Sequence, residues 1–142
     1  MMDDTDVIAI HQLMAQYGHF LDQAQSDAYL AIGRRIDVGE VFTDDVIFEF
    51  AGSRLDGSMA ILEMAEHANE AVPGHNVSNV YVYESDGEVR VHAKWFFAAP
   101  ESGAMRTGDY HNVVVRTDDG WRIRHVDARV RFFPGATPEI PS

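Results

Sequence analysis

The chain has 142 residues, the length of one domain, and a composition of 46% hydrophobic and 24% charged residues that excludes a disordered protein. Twenty-three acidic residues against 11 basic ones give a net charge of −12, which argues against nucleic acid and anionic membranes as partners. The absence of cysteine excludes disulfides and thiolate chemistry. Because no apolar run is long enough to span a membrane and the start is acidic, unlike a secretory signal, we expect a cytoplasmic protein.

Two helices are predicted in the first part of the chain. Apolar residues recur at three- and four-residue spacing between residues 4 and 24, with Asp3, Asp4 or Thr5 available as an N-cap. This pattern predicts an amphipathic helix. A second helix is predicted to begin near Ser26-Asp27 and to weaken where glycines follow, at Gly33 and Gly39.

A strand, a turn and a third helix follow. Residues 46–50 are β-branched and aromatic, and Ala51-Gly52-Ser53 turns them toward a short segment at residues 54–56. Gly57-Ser58 begins a helix whose apolar side includes Ile61 and Ala65, and Pro73-Gly74 is expected to end it.

The second half of the chain reads as four strands, over residues 75–85, 88–99, 105–117 and 121–133. Short loops with glycine separate them, which favours hairpins and an antiparallel meander. The tail, residues 134–142, contains three prolines and is expected to be irregular. The whole chain, residues 1–142, is predicted to be a single domain. Its fold class is α+β, with a curved antiparallel sheet packed against three helices from the first half of the chain around a cone-shaped space.

Several short motifs carry a family resemblance. They are Tyr17-x4-Asp22, the segment VFTDDVIFE at residues 41–49, GSMAI at 57–61, His75-x3-Asn79, Gly108-Asp109-Tyr110, and GWRI at 120–123. In this order and spacing the chain resembles the SnoaL-like group of the nuclear-transport-factor-2-like cone fold. That group includes scytalone dehydratases, bile-acid dehydratases, polyketide cyclases and ketosteroid isomerases. Because the fold also serves as a plain binding domain, the resemblance implies a fold more firmly than a reaction.

The resemblance to the dehydratases implies a catalytic set of Asp22, His75 and Tyr17. In that set an acid at the end of the first helix orients a histidine, which moves a proton next to a carbonyl that a tyrosine polarises. An imidazole exchanges protons near neutral pH, and a carboxylate partner selects its tautomer, so the chemistry needs no cofactor. The dehydratases carry a second histidine near the position where this chain has Phe97. Asp22 and His75 alternatively have capping or backbone-bonding roles.

A second set resembles the ketosteroid isomerases. It would use Glu49 as the proton carrier, with Tyr17 and Asn112 as donors to the dienolate oxygen. Glu49 alternates with Phe48 and Phe50, however, and this pattern favours a glutamate on the solvated face of its strand.

The strands are expected to supply the wall of the pocket. Alternation places Trp95 and Phe97 on the apolar face of their strand, and Tyr110 and Asn112 on one face of the next, so we expect these four residues to contact the substrate. Arg129, with Arg131 on the same face of the last strand, could bind a carboxylate or enolate oxygen, or pair with surface acids.

The function predicted from these residues is a cofactor-independent lyase or isomerase acting on a small apolar cyclic molecule. The rival is a non-catalytic domain for small-molecule binding or assembly. No metal is expected, since the seven histidines lack metal-binding spacing. The family resemblance also implies a homodimer or homotrimer.

Overall fold

The computed structural model describes residues 2–24, 26–67, 74–98 and 103–132. Its helices are α1 (Asp4–Gln23), α2 (Val38–Val41) and α3 (Ser58–Glu66), with a 3-10 turn at Asp27–Tyr29. Its strands are β1 (Phe42–Phe50), β2 (Ser53–Asp56), β3 (Asn76–Ser85), β4 (Glu88–Ala98), β5 (Met105–Thr117) and β6 (Gly120–Phe132). The predicted irregular tail lies outside the described residues.

The first helix forms where the spacing of apolar residues predicts it. Asp3 caps α1 by accepting a hydrogen bond from the Asp6 backbone, and the Asp6 side chain accepts from the Asp3 backbone in return. The face of α1 that carries Ile10, Leu13 and Tyr17 is buried against the sheet. Amphipathic spacing and a capping box therefore agree on this element.

A loop held by side-chain hydrogen bonds replaces the second predicted helix. Only the 3-10 turn forms near Ser26, and Gly33 then adopts a φ of 73°. The buried amide of Gln23 bonds the backbone N–H and the carbonyl of Ile36, each at 2.7 Å. These bonds satisfy both backbone groups of Ile36 without a helix, and regular helix resumes at α2. For α3, the predicted continuation beyond residue 67 lies outside the described residues.

The six strands form one curved sheet in the order β2-β1-β6-β5-β4-β3. The meander from β3 to β6 is antiparallel, as expected. The pairing of β1 with β6 differs from the prediction because it is parallel, so the sheet is mixed. This pairing sets Phe48 beside Val126 and extends the apolar face that the helices cover. The α+β cone class is confirmed.

The two faces of the sheet have different surroundings. The inner face packs on the helices and contributes apolar side chains to one core, among them Val91, Ala93, Trp95, Tyr110, Val114, Val126 and Ala128. The outer face carries most of the charged residues of the same strands. Among the described residues, no helix has the length and apolarity needed to cross a bilayer.

Candidate active site

The first feature of the site is a hydrogen-bonded pair of side chains, the dyad of His75 and Asp22. His75 Nδ1 lies 2.6 Å from Asp22 Oδ1, and the His75 backbone N–H donates to both carboxylate oxygens at 3.0 and 3.1 Å. The side chains are 18% and 14% exposed, so both are largely shielded from water. Because a carboxylate only accepts, it holds the imidazole proton on Nδ1 and leaves Nε2 as the atom that can exchange a proton.

Close approach of α1 to the start of β3 explains how the pair forms. Gly18 is buried, and a Cβ on it would lie 3.5 Å from the His75 carbonyl oxygen, so the helix backbone runs directly beside this segment. Asp22 lies one turn further along α1, near the end of the helix, where its carboxylate reaches the His75 backbone. The pair joins residues 53 positions apart in sequence.

Two tyrosines form the second feature. Tyr17 from α1 and Tyr110 from β5 are 1% and 3% exposed, and their rings meet edge to face with centroids 5.2 Å apart. Burial raises the pKa of both phenols well above the ordinary value. The two phenols also form a hydrogen bond with each other.

Asp22 also acts on Tyr110 through space. The negative charge of Asp22 contributes to the raised pKa of the Tyr110 phenol, which places the phenol within electrostatic reach of the dyad. The rings of Phe97 and Trp95 connect the same phenol to the His75 ring.

An aromatic wall continues from the dyad along β4. The Phe97 ring lies 5.4 Å from the His75 ring and stacks on Trp95 at 5.5 Å, with 15° between the ring planes. Trp95 also contacts Tyr110 at 6.2 Å and Phe50 at 6.1 Å between ring centroids. Trp95, Phe97 and Tyr110 therefore lie together, and their contact with a substrate stays a prediction.

Phe50 is the aromatic residue that the sequence reasoning missed. It shares the inner face of β1 with buried Phe48, so strand alternation was the signal that could have found it. The same alternation that favours the solvated face for Glu49 places Phe50 on the opposite face of the strand.

The other predicted residues are placed elsewhere. Asn112 is buried on the inner face, but its amide contacts Met14 Sδ at 3.8 Å and accepts from the Asp127 backbone. Glu49 lies on the outer face, where a carboxylate oxygen is 3.4 Å from His125 Nε2. Strand alternation separates this face from that of Phe48 and Phe50, because neighbouring side chains point to opposite sides.

Arg129 also belongs to the outer face. It pairs in register with Asp109, is exposed, and binds the Asp127 carboxylate at 2.9 Å. The structure therefore does not bring Arg129 together with His75. Arg129 instead forms an ion pair with a surface acid, which is the alternative that the sequence left open.

A protein metal site needs a group of at least three ligating side chains. Within residues 2–24, 26–67, 74–98 and 103–132, no three His, Asp or Glu side chains are grouped closely enough to hold a metal ion.

Comparison with known proteins identifies the class of this fold. An open, curved sheet with helices over one face is the cone-type α+β fold. The sequence matches the SnoaL-like domain family over residues 5–127, and the chain belongs to that family. A search of curated protein sequences finds no match.

Several solved structures share the fold. The Kfla4162 protein of Kribbella flavida superposes with a TM-score of 0.70 at 21% identity, covering 91% of this chain and 93% of its own. A scytalone dehydratase-like protein of Novosphingobium aromaticivorans gives 0.68 at 20% identity, covering 92% and 89%. A type 2 hexachlorocyclohexane dehydrochlorinase gives 0.67 at 17% identity, covering 97% and 94%. At these identities the likeness establishes the fold alone.

Proposed function

We propose that this protein is a cofactor-independent lyase or isomerase that moves a proton next to a carbonyl in a small, apolar, cyclic substrate. The observation that carries the proposal is the 2.6 Å contact between His75 Nδ1 and Asp22 Oδ1 beside a buried tyrosine pair. His75 is the proton carrier, Asp22 orients it, and Tyr110, supported by Tyr17, binds the carbonyl oxygen.

The proton balance follows from these roles. His75 Nε2 takes a proton from the carbon next to the carbonyl, and the electrons move onto the carbonyl oxygen, where Tyr110 donates a hydrogen bond to the enolate. The imidazolium then returns the proton in one of two ways. It protonates the far carbon of a neighbouring C=C bond, whose electrons shift as the enolate returns to the carbonyl, or it protonates the oxygen of a β-hydroxyl group, whose C–O bond breaks as a new C=C bond forms. The first outcome is isomerisation and the second is dehydration.

The tyrosines are assigned as donors and not as bases. Burial raises the pKa of both phenols, so both keep their protons near neutral pH. A neutral phenol donates a hydrogen bond to developing negative charge but does not remove a proton from carbon. His75 is therefore the base in the proposed mechanism.

Elimination is the form of the reaction that we favour. Two of the solved structures with this fold are the scytalone dehydratase-like protein and the hexachlorocyclohexane dehydrochlorinase, and both names denote elimination reactions. The steroid-isomerase-like alternative requires Glu49 at the substrate, and the position of Glu49 on the outer face, with a carboxylate oxygen 3.4 Å from His125 Nε2, argues against it. Dehydration of a cyclic hydroxyketone is accordingly the first reaction to test.

The stacked aromatic rings support the proposed substrate class. Trp95 and Phe97 lie nearly parallel and adjoin the His75 ring, so a flat apolar ring can rest against them while its carbonyl faces Tyr110. The assembly of the protein as a homodimer or homotrimer stays a prediction.

The test is turnover of a panel of cyclic ketones and hydroxyketones. Nuclear magnetic resonance in deuterated water detects both dehydration and exchange at the carbon next to the carbonyl. His75→Gln is expected to lower the rate by about 10² to 10⁴, the usual contribution of a positioned general base. His11→Gln is the matched control because His11 is an exposed histidine of α1.

Equal rates for wild type and His75→Gln would remove His75 from the mechanism. Wild-type protein that binds members of the panel but turns over none of them would favour the rival function, a small-molecule-binding domain.

A further inference from the structure

Asp109 joins the two faces of the sheet at the active-site wall. Gly108, Asp109 and Tyr110 are consecutive buried residues of β5. Tyr110 faces the inner site, so the Asp109 side chain faces outward. There its carboxylate accepts from Arg131 Nε at 2.5 Å and Arg131 Nη2 at 3.1 Å, and lies 3.2 Å from His92 Nε2. The carboxylate side chain is only 9% exposed, unusually low for an acid on a solvated face.

A break in strand register directs Arg131 to this acid. Thr107 pairs with Phe132, but the next residue of β5, Gly108, pairs with Val130. Arg131 is therefore the extra residue of a β-bulge in β6. A bulge turns a side chain out of its regular position, and such bulges often occur beside active sites.

The backbone of Asp109 is hydrogen-bonded to Trp95, a residue of the aromatic wall. Its carbonyl oxygen accepts from Trp95 Nε1 at 3.3 Å. Trp95 lies directly over Gly108, where a Cβ would come within 2.3 Å of the indole ring. The position of the indole thus depends on the exact placement of the β5 backbone at residues 108 and 109.

We propose that Asp109 is a positioning residue: its carboxylate, held by Arg131 across the bulge, holds the β5 backbone so that Trp95 lies flat against Gly108 and Tyr110 points into the site. This inference rests on the proposed function for the meaning of the site. The geometry of the indole is a property of the protein that can be measured without turnover.

A neighbouring ion pair provides the contrast. Arg129 and Asp127 lie on the same outer face, and Arg129 is the cross-strand neighbour of Asp109, but the hydrogen bonds of their pair reach neither the bulge residue Arg131 nor the indole. The Arg131 and His92 side chains are 53% and 43% exposed, so both can be hydrated when Asp109 is changed. We therefore expect Asp109→Asn to fold.

The experiment uses Trp121→Phe protein, in which Trp95 is the sole tryptophan. Hydrogen exchange of the Trp95 indole N–H is followed by nuclear magnetic resonance, and the affinity for 2-naphthol, a flat phenol, by quenching of Trp95 fluorescence. In Asp109→Asn and Arg131→Gln, indole exchange is expected to accelerate about tenfold as the local bond opens more often. Binding of 2-naphthol is expected to weaken about three- to tenfold, the size of one lost hydrogen bond.

Matched variants separate positioning from general loosening. Asp127→Asn and Arg129→Gln should keep wild-type exchange and affinity, while Arg131→Lys, which keeps the charge but loses the fork, should fall between wild type and Arg131→Gln. Thermal unfolding of each variant identifies any that are unfolded. If Asp109→Asn is among them, Arg131→Gln decides the question, since Arg131 is the more exposed partner.

Wild-type indole exchange in both Asp109→Asn and Arg131→Gln would overturn the proposal, as would equal acceleration in the Asp127 and Arg129 variants. The outcome is independent of the proposed function. If His75→Gln retains full turnover, the proton-transfer mechanism fails while the indole measurement still decides the role of Asp109. If 2-naphthol does not bind the wild type, the indole exchange alone decides.

Discussion

The inner and outer faces of the sheet are built from the same strands and have opposite chemistry. On β5, Tyr110 points inward, and burial raises its pKa because the anion would lose its hydration. The adjacent Asp109 points outward. Its partial burial opposes ionisation, but hydrogen bonds from Arg131 and His92 outweigh this effect and lower its pKa. The pKa values of two neighbouring residues thus shift in opposite directions. The inner face excludes water, which favours the neutral phenol, while the outer face supplies hydrogen-bond donors, which favour the ionised carboxylate.

The two faces also tolerate change differently. Inner residues fill space, and a buried core does not relax around added volume without cost. Outer residues such as Arg129 are exposed, where water replaces a lost partner. Substitutions on the inner face should therefore cost stability, while those on the outer face should cost little unless they remove a hydrogen bond to the Asp109 side chain.

The largest effect on stability is expected from Gly108→Ala. The new Cβ would lie 2.0 Å from the Arg129 carbonyl oxygen and 2.3 Å from the Trp95 ring, so backbone or indole must move. We expect a loss of about 3 kcal/mol in the free energy of unfolding, the upper end of ordinary overpacking costs. Urea unfolding measures it.

Gly39→Ala is the control for this substitution. Gly39 lies in α2 with nothing within 4 Å of its ideal Cβ, so alanine should leave stability equal or higher by up to about 1 kcal/mol. Equal losses at Gly108 and Gly39 would show that the inner wall is not tightly packed.

A smaller effect is expected at alkaline pH. An unfolded tyrosine ionises near pH 10, whereas buried Tyr17 and Tyr110 stay protonated because their pKa values are raised. Their contribution to stability is complete below pH 10 and is lost as the pH rises toward their folded-state values. The loss is about 1.4 kcal/mol per pH unit for each tyrosine, until that tyrosine also ionises in the folded protein.

Urea unfolding at several alkaline pH values measures this slope. Tyr110→Phe should reduce it, while Tyr81→Phe, which changes an exposed ring, should not. An unchanged slope in Tyr110→Phe would contradict the assignment of Tyr110 to a dry inner site.

The smallest effect is expected on the outer face. Arg129→Ala breaks a pair in which the arginine side chain is 61% exposed, so the free energy of unfolding should change by about 0.5 kcal/mol or less, and less still at high salt. A loss near that of Gly108→Ala would mean that the outer face is covered in solution.

Local sequence patterns predicted much of this arrangement. The spacing in α1, the turns of the meander and the alternation along β4 and β5 were sufficient to place Trp95 and Phe97 on the apolar face of β4 and Tyr110 with Asn112 on one face of β5. These features depend on residues a few positions apart, because helix and strand geometry repeats over short distances.

Tertiary structure decided the rest. Only the approach of α1 to β3 joins Asp22 to His75, only the bulge in β6 turns Arg131 to Asp109, and only the parallel pairing of β1 brings Phe50 to Trp95. The second predicted helix gave way to a loop held by Gln23. Each of these contacts joins segments that no local periodicity relates, since their register is set by the packing of the whole core.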